Sequence, residues 1–460
     1  MIFQRILNRI FPASSFGRNV GLLAGGTFVG QIVGLVAVPI ITRLYTPADF
    51  GVVGVFASVI AVLQIFTAFA YHRAVPLPKS DSEGLIIIVL SALCLVGMVA
   101  LLSVVLIVFG SGFLGWLNCP ELLPYSWLIP VAVFFGGSYE IASAWTIRQK
   151  HFGVLSRTKI HQATGMAATQ IGLGLGGVGL FGLIMGDILG RSLGTLNLLL
   201  PIYREHKQDV VQIQGVQLRS SLKKYRGFPL FHVPFMLLSQ AGLYLPTMLI
   251  AALYDPAAGG IFLLAYRVLH YPLAVIGRSV ARVYLAEAAE AVRDEPERLR
   301  PLFQSTFWQL FLIGIAPLGI LALTGPLLFG LIFGEAWSEA GRYAQWLALP
   351  VLLQFAIAPL IQTLLVMERQ DLSLLWAFIK ALLTGSSFVI VYALGGSIAW
   401  AAISYSAALA VSYLAGYGLL TLCVPHGPKS EPRQDSTGAR IPAPNFVKNQ
   451  FRERHSSGRV

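Results

Sequence analysis

The sequence is short of charge. Only 12% of its 460 residues are Asp, Glu, Lys or Arg, about half the share of a soluble domain. So few ionisable side chains cannot cover a water-facing surface, which excludes a soluble protein of two or three domains. Its three cysteines, Cys94, Cys119 and Cys423, are odd in number and share no metal-like spacing, so neither a disulfide framework nor a cysteine metal site is expected. There is no ATP motif and no Asp-x-Asp pair. The glycine-rich GLGLGGVGLFG has no strand before it, so it reads as close helix packing and not as a nucleotide loop. No cofactor and no enzymatic chemistry are expected.

What fills the chain is apolar: 56% of residues are hydrophobic. They gather in runs of about 20, long enough to cross a hydrocarbon core of roughly 30 Å as helices. Twelve runs can be placed, near 20–42, 50–70, 84–109, 123–147, 159–176, 178–201, 228–253, 259–286, 303–323, 343–366, 371–394 and 397–424. The fold expected is an all-α polytopic membrane protein. It divides into an amphipathic interfacial segment at 1–19, an N-lobe at 20–202, a basic linker at 203–227, a C-lobe at 228–424 and a disordered basic tail at 425–460. The opening MIFQRILNRIF sets Ile2, Phe3, Ile6, Leu7 and Ile10 against Arg5 and Arg9 at helical spacing, which suits a helix lying in the interface. The tail is rich in Pro, Ser and charge and cannot build a core.

Lys and Arg collect on the cytoplasmic side of membrane helices. If the first run starts inside, 27 of the 33 basic residues fall in cytoplasmic segments and only Arg43 and Arg342 fall outside. Both termini are then cytoplasmic. The net charge of +12 lies along a membrane edge and not on one folded face, so anionic lipid headgroups are the expected partner and nucleic acid is not.

One corner is written twice. LYTPADFG (Leu44 to Gly51) and LYDPAAGG (Leu253 to Gly260) match at five of eight positions, each between two apolar runs. Six helices separate them, so the halves share one orientation. That is the signature of a parallel duplication about an axis along the membrane normal.

The run GTFVGQIVGLVAVPIITRLYTPADFGVVGVFASV resembles the opening of bacterial polysaccharide flippases (O-antigen and exopolysaccharide) of the multidrug, oligosaccharidyl-lipid and polysaccharide (MOP) exporter superfamily. YRGFPLFHVPFMLLSQAGLYLPTMLIAALYDPAAGG resembles the start of their second lobe, and GVGLFGLIMGDILG and LLFGLIFGEAWSEAG are also similar to family stretches. The resemblance implies two parallel six-helix lobes around a central cavity, as in MATE transporters, alternating access, and a bacterial inner-membrane location. Its implied substrate is a polyprenyl-diphosphate-linked oligosaccharide, with other polysaccharide assembly proteins as further partners. Two other readings stand beside it: a cation-coupled drug antiporter, which needs a buried carboxylate that the first run lacks, and a membrane-embedded glycosyltransferase or ligase, which needs a sizeable outer loop.

Charges inside the runs are the candidate site residues, because each costs about 2.5–3.5 kcal/mol at a helix centre. Arg267 and Arg278 are eleven apart and return to within roughly 20° of one helix face, with Arg282 and Tyr271 close by. Together they read as a cationic stripe of roughly 22 Å suited to a diphosphate, or as one snorkelling arginine above two edge anchors. Asp187 and Arg191 are four apart and can pair, either as a neutralised structural pair or as a pair that an anionic substrate opens. Lys380 either adds charge to the cavity or reaches the inner surface. Glu140 either meets basic loop residues or takes part in proton coupling. Gln31, Gln64, Gln170 and Gln354 are expected to bond between helices.

Overall fold

A computed structural model describes residues 15–424 apart from 368, with side chains also undescribed at 15–24, 235 and 238–244. The expected interfacial segment lies largely outside the described residues, and the expected tail wholly so. Helices make up the fold, with no strand among the described residues. The N-lobe comprises α1 (Ser15–Leu44), α2 (Pro47–Ile65), α3 (Asp81–Trp116), α4 (Leu128–Arg148), α5 (Phe152–Leu175) and the pair α6 (Leu180–Ser192) and α7 (Thr195–Val211). After α8 (Gly215–Lys224), the C-lobe comprises α9 (Val233–Leu253), α10 (Pro256–Asp294), α11 (Leu299–Phe333), α12 (Ser338–Ile357) with the short α13 (Gln362–Val366), α14 (Gln370–Ala393) and α15 (Ile398–Cys423).

Ten helical stretches among the described residues are long and apolar enough to cross a membrane. The remaining two of the twelve runs are α5, whose first half carries Arg157, Lys159 and His161, and α9, where several side chains are undescribed. Packing repeats between the halves. In each lobe the first rod lies against the fifth (α1 on α5, α9 on α14), the third against the fourth (α3 on α4, α11 on α12) and the fifth against the sixth. This is the architecture of a duplicated six-helix unit.

Two runs differ from expectation. The second run ends at Ile65, and Ala68, Phe69 and Ala70 turn with φ of 50°, 47° and 59°, a left-handed stretch that contains no glycine to announce it. The sixth run is broken between Ser192 and Thr195, where Gly194 has φ +78° and lies against the Thr158 side chain. The conformation favours glycine, and a Cβ there would lie 2.8 Å from the Thr158 side chain.

The repeated corners meet. Thr46 caps α2, its hydroxyl accepting from the Asp49 amide, with Pro47 in the first turn; Asp255 caps α10 by accepting from the Ala258 amide, with Pro256 in the same place. Side-chain caps remove orphan amides from each helix start. The two helices then cross so closely that a Cβ on Gly51 would strike the Pro256 carbonyl, and one on Gly260 would strike the Pro47 carbonyl. Around this crossing Trp337 donates to the Thr42 carbonyl at 2.9 Å and stands edge-on to Phe50 at 4.8 Å between centroids. Asn118 donates to the Tyr254 carbonyl at 3.1 Å. The lobes are thus sealed together at the corner end.

The opposite end is basic. Arg148 there pairs with Asp81 at 2.8 Å and donates to the carbonyls of Val75 and Pro78. Hydrogen bonding to Arg148 holds the Asp81 carboxyl below its usual range. Lys224 of α8 reaches Glu83 at 3.4 Å, which fastens the linker to the N-lobe.

Because each corner glycine faces backbone and not a yielding side chain, Gly51→Val or Gly260→Val should destabilise the protein by about 1–3 kcal/mol, read as a lower unfolding temperature in detergent. Gly97→Ala, where a Cβ meets nothing within 4 Å, serves as the control. Unchanged unfolding in both corner variants would contradict the close crossing.

Candidate functional site

Beneath the corner seal lies a cavity of about 450 Å³ walled by α1, α2, α5 and α6 of the N-lobe and by α10 of the C-lobe. Three cations line it, Lys159, Arg191 and Arg267, with Asp187 as the one lining carboxylate. The wall therefore carries a net of two positive charges at neutral pH.

The N-lobe wall is a chain of linked polar groups. Lys159 sits over the Tyr139 ring of α4 at 4.3 Å and donates to the Gln162 amide oxygen at 3.3 Å. Gln162 donates in turn to the Arg191 carbonyl at 3.3 Å. Arg191 donates to Asp187 at 2.7 and 3.3 Å and to the amide oxygen of Gln64 on α2 at 3.3 Å. Nearer the corner, Gln170 donates to the Leu183 carbonyl and its own carbonyl accepts from Tyr45 at 2.7 Å. Gln64 and Gln170 thus make the interhelical bonds expected of them.

The C-lobe wall is α10, which presents Leu264, Arg267, Val268 and Tyr271 to the cavity. The Arg267 Nε is buried and has no hydrogen-bond partner among the described residues. An unpaired buried donor is costly.

The structure brings Asp187, Arg191, Arg267 and Tyr271 together. Arg278 and Arg282 stand apart from this lining, exposed further along α10, and Arg278 folds back to donate to the Ala274 carbonyl at 3.1 Å. By helical periodicity they continue the face of Arg267 and Tyr271 toward the basic end. Lys380 lies in the C-lobe between rings, 4.6 Å from the centroid of Trp376 and 5.5 Å from that of Tyr413. Glu140 is exposed on α4 and makes no ion pair among the described residues. Lys159, Gln31 and Gln162 were not singled out as cavity residues by sequence reasoning. The signal for α5 was present in Lys159, Gln162, Met166 and Gln170, which follow helical spacing along one face, but Lys159 follows Arg148, Lys150 and Arg157 and reads as one more member of that basic group.

A family model described as "Polysaccharide biosynthesis protein" matches residues 40–342, well over half of the chain. The chain belongs to that family. No curated protein matches this chain. Its fold is that of MOP-superfamily transporters. An inward-facing MATE multidrug transporter is similar over 86% of this chain and 94% of its own, with a TM-score of 0.69 and 12% identity. The lipid II flippase MurJ in an inward closed conformation is similar over 87% of each chain, with a TM-score of 0.67 and 14% identity. A MOP-superfamily transporter from Pyrococcus furiosus is similar over 91% of this chain and 97% of its own, with a TM-score of 0.52 and 13% identity. At these identities the likeness is one of fold.

The Asp187–Arg191 pair is largely out of solvent, with side-chain exposures of 9% and 24%. Arg191→Leu should therefore cost about 3 kcal/mol or more by stranding the carboxylate. The double variant Asp187→Asn with Arg191→Leu should recover much of that loss. Thermal unfolding of the four proteins in detergent measures it, and additive losses would contradict the pairing.

Proposed function

We propose that this protein flips a polyprenyl-diphosphate-linked oligosaccharide from the inner to the outer leaflet of a bacterial inner membrane, for surface polysaccharide assembly. The observation that carries the reading is the net charge of +2 on a cavity between the lobes, to which Arg267 contributes from the C-lobe side. A sugar diphosphate brings about two negative charges and acceptors that a guanidinium matches with two parallel hydrogen bonds. Family membership supports the polysaccharide context, and one fold neighbour is itself named a flippase of a lipid.

Orientation follows from the basic end, which belongs in the cytoplasm; both termini are then cytoplasmic. The corner seal is then on the outer side, and the cavity is closed outward. Substrate enters from the basic end, where exposed Arg278 and Arg282 give it a first cationic contact, and passes to Arg267. Charge also gives the direction. Two negative charges leaving a cytoplasm held negative by roughly 100 mV gain about 4–5 kcal/mol, so the potential alone can drive export. Asp187 is the resting counter-ion of Arg191 and the one lining carboxylate able to carry a proton. A cation-coupled antiporter would need that carboxylate free to exchange ions, and here it is held by Arg191.

Two experiments test the reading. Cysteines introduced at Asp49 or Asp255 should react with a reagent excluded from the cell, and cysteines at Lys150 or Lys224 should not; labelling at Lys224 overturns the orientation. In proteoliposomes, Arg267→Ala should lower flipping of a fluorescent polyprenyl-diphosphate sugar by at least about tenfold, with Arg267→Lys restoring only part, because an ammonium lacks the fork geometry. Wild-type rates for Arg267→Ala at equal protein would sink the assignment.

A further inference from the structure

An arginine offers only donors, so whatever holds it must present oxygen. Arg191, the cavity cation on α6, is held from two sides. Its Nε and one terminal nitrogen donate to the Asp187 carboxylate at 2.7 and 3.3 Å, and its other terminal nitrogen donates to the Gln64 amide oxygen at 3.3 Å. Arg191 and Asp187 line the cavity, whereas Gln64, at the end of α2, is not among the lining residues.

The end of α2 is seated on a pair of glycines in α4. A Cβ on Gly136 would strike the amide nitrogen of Gln64, and one on Gly137 would lie 2.7 Å from the Thr67 methyl. Neither glycine has a positive φ, so what the pair supplies is room for these two side chains. Directly beyond, Ala68, Phe69 and Ala70 turn left-handed. Three such residues in a row are costly and persist only where the surroundings over-determine them. The seat on α4 is one such restraint, and it points the Gln64 oxygen at Arg191.

We infer that Gln64 is a positioning residue for Arg191, a clamp that aims the guanidinium without neutralising it. The inference rests on the flippase reading above, in which cavity cations meet the substrate diphosphate. Contacts on two edges, one from α6 and one from α2, fix the plane of the fork, where the carboxylate alone would let it pivot. Phosphate is matched by geometry as well as by charge, so the aim of the fork matters. The neutrality of the clamp matters too. Lys159, Arg191 and Arg267 against Asp187 leave the wall at +2. Gln64→Glu would hold the same nitrogen but place a second carboxylate on Arg191.

The test is equilibrium binding of a short-chain polyprenyl-diphosphate hexose to the purified full chain, with the polyprenyl alcohol as a blank and the unfolding temperature measured for every variant. Gln64→Leu should weaken binding about tenfold, the size of one lost hydrogen bond to a charged group. Gly136→Ala, which pushes the Gln64 amide off its seat, should also weaken binding, and should add no loss to Gln64→Ala. Gln64→Glu should weaken it although the acceptor is kept. The background that decides is Asp187→Asn with Arg191→Leu, which has no guanidinium to aim; there Gln64→Leu should change binding by less than about twofold. A loss that persists undiminished in that background means that Gln64 only supports the fold. Wild-type binding by Gln64→Leu or by Gln64→Glu equally overturns the clamp. If wild-type protein binds the diphosphate no better than the alcohol, the flippase reading itself fails and this inference falls with it.

Discussion

The structure hangs on one backbone crossing. Two helices, each begun by a capped Pro-containing turn, approach until Gly51 lies on the Pro256 carbonyl and Gly260 on the Pro47 carbonyl. A side chain at either glycine would hold the lobes apart, so the seal at this end requires both. Everything below follows from that closure. Trp337 reaches the Thr42 carbonyl, α10 faces α1 and α6 across a cavity, and Arg267 is brought opposite the Asp187–Arg191 pair. The reciprocity of the contact also explains why one chain writes the same corner twice, since a duplicated unit meeting its own copy across an axis presents the same surface from both sides.

Charge in the cavity is arranged asymmetrically. On the N-lobe wall the cations are held in place by neighbours, with Lys159 over a ring and Arg191 on a carboxylate. On the C-lobe wall Arg267 keeps a buried donor unfilled. In a low-dielectric setting such a donor is expensive to leave unpaired. Under the proposed reading, the N-lobe supplies a fixed positive field and the C-lobe supplies the directed contact.

The rods, the two lobes and the repeated corner were legible in the sequence, because apolar run length and Lys/Arg placement are set by the bilayer. Arg267, Arg191 and Asp187 were legible for the same reason: a charge inside an apolar run stands out. Lys159 was not, because a cation at the edge of a basic loop looks like its neighbours until the helix is known to start at Phe152 and turn it inward. Gln31 was not, because a glutamine in a helix has many ordinary uses. The left-handed turn at Ala68, Phe69 and Ala70 has no glycine to reveal it, and the break at Gly194 was concealed in a continuous apolar run. Lys380 showed as a charge, with Trp376 one turn earlier on the same helix, but its approach to Tyr413 is created only by the meeting of α14 and α15.

The central claim is that the corner seam must part for substrate to leave, and a reversible lock tests it most directly. Gly54 and Leu263 face each other across the seam, a Cβ at 54 lying 2.9 Å from the Leu263 Cδ2 and 4.0 Å from its Cγ, so cysteines at 54 and 263 are the pair to cross-link by oxidation. In proteoliposomes, flipping of a polyprenyl-diphosphate sugar should stop when the pair is oxidised and return on reduction, with each single cysteine unaffected by either treatment. Undiminished flipping by fully cross-linked protein would contradict the account.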